Sequence, residues 1–368
     1  MGSETVEDVL ELTVLDVVAE TEDACSVVFD ARLDFRPGQF LTLAIPSDRT
    51  GLVARCYSLC SIPGEPLTVT VKRTPDGYAS HWINDHLRPG DRVRVLAPSG
   101  IFTPASLDAD LLLFAAGSGV TPIMSIARTA LERGSGRIVV FYANRDERSV
   151  IFADRWSELA AAHPDRLQVV HWLQTVQGLP TQDQLRFFAE PFRAYDAFVC
   201  GPAPFMRLAT GALRELDFPR ERRHQEKFVS LGGNPFGDVA QAEEAAGEIA
   251  AAEGEEGQDG DGQVDVDQVE AGTAPQGAAR LTAELDGSTY AYDDWAPGIT
   301  VLEHLESKGV KAPYSCREGE CSACAFRLLE GEVKMLKNDV LEAEDLEDGI
   351  RLGCQSVAVT DSVAITYS

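Results

Sequence analysis

From residue 8 to about 107, apolar and polar positions alternate in short runs. The candidate strands are Glu11–Val18, Ser26–Ala31, Phe40–Ile45, Ala54–Leu59, Leu67–Lys72 and Arg92–Leu96. In the fifth of these, Leu67, Val69 and Val71 fall on one face and Thr68, Thr70 and Lys72 on the other, the period-two signature of a half-buried strand. The steps Pro37-Gly38, Asp76-Gly77 and Pro89-Gly90 punctuate the runs. One helical stretch, Ala79–Leu87, interrupts them. Six short strands joined by turns predict an antiparallel β-barrel.

Beyond residue 108 the period changes. Continuous apolar runs at Leu111–Ala116, Ile138–Ala143, Leu167–Leu173 and Ala197–Cys200 alternate with helical patterns at Pro122–Arg133, Phe152–Ala162, Thr181–Phe188 and Phe205–Leu216. Strand–helix alternation of this kind predicts an α/β domain built on a parallel sheet. From 231 to 278 the periodicity stops. No Lys or Arg stands between Lys227 and Arg280, while 12 acidic residues do, among Gly and Ala. Such a stretch cannot bury enough apolar surface to offset its ordering entropy, so a self-repelling flexible tether is expected. A docking tail for a basic partner is the alternative. The expected organisation is therefore 8–107, 108–230, a linker at 231–278, and a compact domain at 279–368.

Composition sharpens this reading. The chain has 368 residues, 44% apolar and 25% charged, enough for more than one soluble core. The net charge of −27 repels nucleic acid and anionic membranes. The longest apolar run is too short to cross a bilayer, and the first residues lack the basic start and apolar stretch of a signal peptide. A cytoplasmic monomer that binds neither nucleic acid nor membrane is expected.

Four of the eight cysteines are Cys316, Cys321, Cys324 and Cys354. The first three are spaced Cys-x4-Cys-x2-Cys and the fourth follows at a distance, which is the plant-type 2Fe–2S pattern. Three thiolates then come from one loop, curled at Gly319, and a remote thiolate ties that loop down. A structural zinc site, the alternative, normally pairs its ligands two and two. Cys25, Cys56 and Cys60 read as small buried hydrophobes.

Three more motifs carry chemistry. Arg55-Cys56-Tyr57-Ser58 ends a strand. Arg55 offers a planar cation for a diphosphate, Tyr57 a ring for a flat cofactor, and Ser58 a small donor. Gly77-Tyr78-Ala79-Ser80 opens a helix, whose first N–H groups can hold phosphate. Gly117-Ser118-Gly119-Val120-Thr121-Pro122 follows a strand. Its glycines allow backbone to approach a pyrophosphate, Thr121 is a candidate helix cap and Pro122 a candidate first helical residue. Pro122 stands where the dinucleotide fingerprint has its third glycine. Cys200-Gly201-Pro202 ends the last strand of the α/β region, where ligands of parallel sheets bind. Cys200 either borders a nicotinamide or serves as a small residue permitting close approach.

These motifs, in this order and followed by the cysteine cluster, resemble the ferredoxin–NADP reductase superfamily with a plant-type ferredoxin at the C-terminus. The order is that of oxygenase reductase components. The stretches Arg55–Ser61, Val71–Ser80, Ala115–Ser125 and Tyr142–Phe152 resemble the reductases of 3-ketosteroid 9α-hydroxylases; the reductase of a phenylacetyl-CoA epoxidase or of an aromatic-ring hydroxylase is the alternative. The resemblance implies a multidomain fold: an antiparallel β-barrel FAD domain, an α/β parallel-sheet NAD(P) domain and an α+β β-grasp 2Fe–2S domain. It implies FAD held by Arg55, Tyr57 and Ser58, with Lys72, Gly77 and Ser80 along its phosphates. Gly117, Gly119, Thr121, Cys200, Gly201 and Pro202 would line the nucleotide site. Ser58 and Cys200 would lie nearest the reacting atoms, and Glu226 and Phe228 would close the flavin site. The four C-terminal cysteines would be the metal ligands. Asn144-Arg145-Asp146 carries both an acid for a ribose hydroxyl and an Arg for a 2′-phosphate; the resemblance favours NADH, with NADPH the alternative.

The implied path is a hydride from NADH to FAD, then single electrons from FAD to the cluster, whose type runs at about −400 mV. His81, His86, His163, His171, His224 and His304 show no paired ligand spacing, and no Rieske motif is present. Oxygen activation therefore belongs to a separate terminal oxygenase, expected to be a Rieske non-haem iron protein. A second class of reading makes the chain an electron carrier whose reductase half only scaffolds; the intact Arg55–Ser58 and Gly117–Pro122 motifs argue against it.

Overall fold

A computed structural model describes residues 9–47, 51–75, 77–226, 236, 277–285, 288–314, 317–319, 322–341 and 343–367. The chain divides into two compact units, residues 1–45 with 55–230, and residues 46–54 with 231–368.

The N-terminal part of the chain, most of it in the first unit, holds strands β1 (Val9–Thr21), β2 (Ala24–Phe29), β3 (Phe40–Ser47), β4 (Gly51–Ser58), β5 (Thr68–Lys72) and β6 (Arg92–Ser99). Helix α1 (Tyr78–His86) lies between the last two strands. The sheet order is β4-β3-β6-β1-β2-β5. Its edges meet at an antiparallel bridge between Leu59 and Val69, so the sheet curls towards a barrel. Alternation decides the inside. Val27, Phe29, Leu43, Ile45, Val69, Val71 and Val95 are buried, each worth roughly 1.5–3 kcal/mol of removal from water.

The same unit continues with β7 (Leu111–Ala116), α2 (Val120–Arg133), β8 (Ile138–Asn144), α3 (Ala153–Ala162), β9 (Leu167–Leu173) and α4 (Gln174–Gln177). Then come α5 (Gln182–Ala189), β10 (Asp196–Cys200), α6 (Ala203–Glu215) and β11 (Arg223–Glu226). The strands form a parallel sheet in the order β11-β10-β7-β8-β9. Every residue of β7 and β8 is buried, as expected of strands covered on both faces. Leu111, Leu113 and Ala115 pack on the α2 side, and Leu112 and Phe114 on the α6 side. The chain winds outward from β7 in one direction and then returns to β7 through β10. The crevice between β7 and β10 is therefore the topological switch point.

Two local expectations change. Thr121 is not the cap of α2. A 3₁₀ turn over Gly117–Gly119 precedes the helix, Gly119 is its N-cap, and the Thr121 hydroxyl donates to the Ser118 carbonyl at 3.0 Å. Pro122 is the third helical residue, where its missing N–H still costs no intrahelical bond. β11 was not expected. Its sequence, Arg-His-Gln-Glu, has no apolar period, and it forms because β10 offers a parallel edge from Ala197 to Cys200.

The second unit contains β12 (Ala279–Leu285), β13 (Ser288–Trp295), α7 (Val301–Ser307), β14 (Ala325–Glu330) and β15 (Val333–Met335). It continues with α8 (Ala343–Glu347), β16 (Ile350–Leu352), β17 (Ser356–Ala358) and β18 (Ser362–Thr366). Its main sheet runs β13-β12-β18-β14-β16, with β12 and β18 parallel and the other described pairs antiparallel. Helix α7 starts at a capping box in which Thr300 and Glu303 satisfy each other's backbone N–H, and it buries Val301, Leu302 and Leu305. The tether expected at 231–278 lies outside the described residues except for Phe236, Gly277 and Ala278.

Candidate functional sites

A cavity of about 800 Å³, in the usual range for a small-molecule or cofactor site, opens in the first unit. It gathers Arg55, Tyr57 and Ser58 from the end of β4, Lys72 from the end of β5, Gly77 and Ser80 from the start of α1, Thr121 from α2, and Gly201 and Pro202 from the end of β10. These residues span the chain from 55 to 202 and meet because barrel strands and parallel strands end around the same opening.

Each wall has a local cause. Among the described residues no side chain caps the N-terminus of α1, whose N-cap is Gly77, and its positive end borders the cavity. Ser80 is held in place: its hydroxyl donates to the Gly77 carbonyl and accepts from the Thr74 N–H, both at 3.0 Å. Burial pushes the Tyr57 hydroxyl well above its ordinary range, so it remains a neutral donor beside the Arg55 cation. Lys72 pairs with Asp23 at 3.5 Å. Two cations, an open helix start and an aromatic ring suit a flavin with an anionic diphosphate, and the residues present fit that group.

The glycines of the nucleotide motif act through backbone. A Cβ on Gly119 would sit 2.2 Å from the Cys200 carbonyl oxygen, so the turn after β7 packs directly on the end of β10. Gly117 takes φ +52, a conformation that favours glycine, and donates no clash of its own. Neither glycine lines the cavity; they let Ser118 and Thr121 do so.

Cys200 is a core residue. It is fully buried, its thiol is pushed up by burial and by Glu226, and the cavity wall beside it is Gly201 and Pro202. Cys200 itself is not part of that wall. Glu226 pairs with Cys200 across β10 and β11, and burial raises its carboxyl to about 8, so it is protonated at neutral pH. His224, two residues earlier, stacks on Phe198 at 4.4 Å between ring centres, and burial lowers it to about 4. Phe228 lies outside the described residues. Cys25 and Cys60 are buried as expected, but Cys56 is half-buried, lines the cavity, and contacts the Thr42 hydroxyl at 3.4 Å.

Sequence reasoning missed Thr70, Thr74, Tyr78, Ala203 and Met206 as wall residues. The signal for Thr70 existed: it shares a strand face with Lys72. Nothing local marks Ala203 or Met206, which reach the cavity only because α6 begins at its rim.

In the second unit, Cys324 stands just before β14 and Cys354 between β16 and β17, both buried. Cys316 and Cys321 lie outside the described residues. The Cys354 N–H points at Cys324 Sγ at 3.5 Å, and Gln355 Nε2 lies 3.8 Å from Cys354 Sγ. Two neighbouring buried sulfurs, each met by an N–H donor, suit thiolate ligands of a metal cluster, and the donor set fits a 2Fe–2S group. Two described residues that precede Cys324 in the chain are held firmly. Arg317 takes φ 60, forms a two-pronged pair with Glu306 of α7 at 2.9 and 2.5 Å, and lies 4.0 Å over the Tyr314 ring. Its carbonyl accepts from Gln355 Nε2 at 2.9 Å. Gly319 takes φ +74, and a Cβ there would press on the Lys337 carbonyl at 2.8 Å.

Comparison with known proteins identifies three domains along the chain. Residues 27–103 match the oxidoreductase FAD-binding domain, 113–210 the oxidoreductase NAD-binding domain, and 283–359 the 2Fe–2S iron–sulfur cluster binding domain. The chain is 51% identical, over 98% of its length and 97% of the relative's, to the ferredoxin reductase component of 3-ketosteroid-9-alpha-monooxygenase from Mycolicibacterium smegmatis. It is 48% identical to the Rhodococcus rhodochrous protein of the same description, over 97% of this chain and 96% of that one. The solved structure of phthalate dioxygenase reductase shares the fold at a TM-score of 0.54 and 23% identity, covering 97% of this chain and 98% of that one. The chain belongs to the family of oxygenase ferredoxin reductase components that carry FAD-binding, NAD-binding and 2Fe–2S domains on one polypeptide.

Proposed function

We propose that the chain serves a 3-ketosteroid 9α-hydroxylase, taking electrons from NADH and delivering them to a separate Rieske-type terminal oxygenase. The observation that carries this is near-half identity along the whole chain to reductases so described, joined to a cavity that gathers the flavin and nucleotide motifs. In this reading Arg55, Lys72 and the start of α1 bind the flavin diphosphate. Tyr57 covers the ring, and Ser58 presents a hydroxyl to it. Gly117, Gly119, Gly201 and Pro202 admit the nicotinamide nucleotide. Cys200 acts by its small size. Protonated Glu226 supplies a neutral acid at the rear of the nucleotide strand, and Phe228 follows it. FAD, when bound, accepts a hydride and passes electrons on singly. Cys316, Cys321, Cys324 and Cys354 hold the cluster that receives them.

NADH is favoured over NADPH by charge. Arg145 is drawn to the Asp146 carboxylate at 3.2 Å, and that carboxylate also caps the turn at Ser149. A 2′-phosphate there would meet the Asp146 charge as well as the Arg145 cation. We assign the domains to 8–107, 108–230 and 279–368, joined by an acidic linker at 231–278, in a cytoplasmic monomer. Among the described residues no helix is long and apolar enough to cross a membrane.

The test is reconstitution. The protein, NADH, the terminal oxygenase of a 3-ketosteroid 9α-hydroxylase and a 3-ketosteroid should give 9α-hydroxylated product, with slower turnover on NADPH. If a phenylacetyl-CoA epoxidase or an aromatic-ring hydroxylase is served instead and the steroid oxygenase is not, the assignment falls while the reductase chemistry stands.

A further inference from the structure

A second cavity, of about 550 Å³, lies in the first unit. Glu20, Ser26 and Cys60 line it, and its rim carries the exposed residues Asp154, Arg155 and Glu158, so it is open to water. None of these residues belongs to the flavin cavity. Thr70 does, and Thr70 touches the second group directly. Ser26 on β2 stands opposite Thr70 on β5, and their hydroxyl oxygens are 2.8 Å apart. The Ser26 hydroxyl also donates to Glu20 Oε1 at 2.5 Å. Glu20 reaches it from a bulge in β1 between Ala19 and Thr21. Ser26 and Thr70 are each only 4% exposed, whereas Glu20 is half-buried.

The direction of this chain follows from counting protons. A serine hydroxyl has one hydrogen to donate, and a carboxylate has none. Ser26 spends its hydrogen on Glu20, so Thr70 must donate to Ser26. The free lone pair of Thr70 then accepts, either from the Cys60 thiol at 3.3 Å or from a group inside the flavin cavity. The three oxygens form a one-way wire from the cavity wall to a water-accessible carboxylate.

The reaction of the family leaves a proton for such an exit to carry. A hydride from the reduced nucleotide brings two electrons and one proton into the flavin cavity. Two single electrons leave for the cluster, and one proton per nucleotide is left behind. We propose that Thr70, Ser26 and Glu20 carry this proton out: Thr70 accepts it while passing its own to Ser26, Ser26 passes its own to Glu20, and Glu20 releases it to water in the second cavity. The protonation of the three side chains is then as it began, and rotation of the Thr70 and Ser26 hydroxyls restores the direction of donation. The proposal rests on the flavin occupying the first cavity.

The test uses flavin-loaded full-length protein. Reduced protein is mixed with a one-electron oxidant in unbuffered medium containing a pH dye, and flavin content is read separately by absorbance. Ser26→Ala should slow proton release by about 100-fold, the lower end of what a positioned proton carrier contributes. Flavin content and the hydride step from NADH should stay at the wild-type level. Ser26→Thr should restore release. Glu20→Gln should slow it and be rescued by added formate. Reduced-minus-oxidised infrared difference spectra should show a Glu20 carboxylate band that both Glu20→Gln and Ser26→Ala remove. Wild-type proton release in flavin-loaded Ser26→Ala, or an infrared difference spectrum unchanged by Glu20→Gln, overturns the wire. A wild-type protein that takes up no flavin overturns the reading of the first cavity instead.

Discussion

The flavin cavity draws its wall from separate stretches between Arg55 and Met206, whereas three of the four cysteines of the second unit fall within Cys316–Cys324. The contrast follows from the size of what is held. A dinucleotide is longer than any single turn, so its phosphates, ring and partner nucleotide each need a different element end. A two-iron cluster is smaller than a loop, so one loop can nearly enclose it and a single remote thiolate completes it. The cavity consequently depends on how barrel and parallel sheet meet. Ser125 of α2 donates to the Ser61 carbonyl at 2.7 Å, and Arg128 forks onto Glu65 at 2.9 and 2.6 Å, fastening α2 to the barrel. The cluster loop depends on bonds within its own small domain, through Arg317, Glu306 and Gln355.

The sharpest way to separate the two sites is to destroy one. Cys354→Ser should abolish the cluster absorption and lower electron delivery to a protein acceptor by more than about 100-fold, beyond the 10–100-fold usual for residues behind the ligands. Flavin reduction by NADH should persist, measured by stopped-flow absorbance; if it vanishes too, the sites are not separable. Arg55→Ala attacks the other site. Losing charge-assisted bonds worth about 1.5–3 kcal/mol should weaken FAD binding by roughly 10–100-fold, read by titrating apoprotein with FAD, and leave the cluster spectrum intact.

Two glycines test the idea that the nucleotide motif works through backbone. Gly119→Ala drives a methyl into the Cys200 carbonyl and should destabilise the first unit by about 1–3 kcal/mol in urea unfolding. Gly117→Ala meets no atom within 4 Å and should cost only the roughly 1–2 kcal/mol of a left-handed residue. Equal, negligible effects would refute close packing at that turn.

Buried Glu226 gives the first unit its own pH signature. Its carboxyl is raised from the ordinary 4.5 to about 8, so the folded state keeps a proton that the unfolded chain loses. That stabilisation is whole below pH 4.5 and drains away as pH rises through about 8, by up to about 1.4 kcal/mol per pH unit in between. Glu226→Gln should flatten this slope in urea denaturation at pH 5.5, 7 and 8; parallel slopes would contradict a buried neutral acid. The smallest expected effect belongs to the second unit. Gln355→Ala removes an N–H from Cys354 Sγ, which favours the more negative, reduced cluster, so the midpoint potential should fall by a few tens of mV. A rise would reverse the argument.

Much of both regions was legible beforehand, for different reasons. Barrel strands showed as alternation because one face meets the core. β7 and β8 showed as unbroken apolar runs because both faces do. β11 was invisible, since Arg223–Glu226 has no period of its own and borrows its conformation from β10. Thr121 looked like a cap because its type suits one, yet the turn at Gly117–Gly119 takes that place. Cys200 looked like a site residue from its position at a strand end, but which way a strand-end side chain points is settled by the pleat and by Gly119 pressing on its carbonyl.

The chain alone determined the order of the matched domains and the kinds of redox group they bind, because periodicity, ligand spacing and helix-start motifs act over a few residues. Only the tertiary structure decided that Cys200 is core, that Thr70 is wall, and that Thr70 meets Ser26 of the second cavity. Those facts depend on strand register and on packing between elements far apart in sequence, where the sign of a side chain's direction cannot be read from its neighbours.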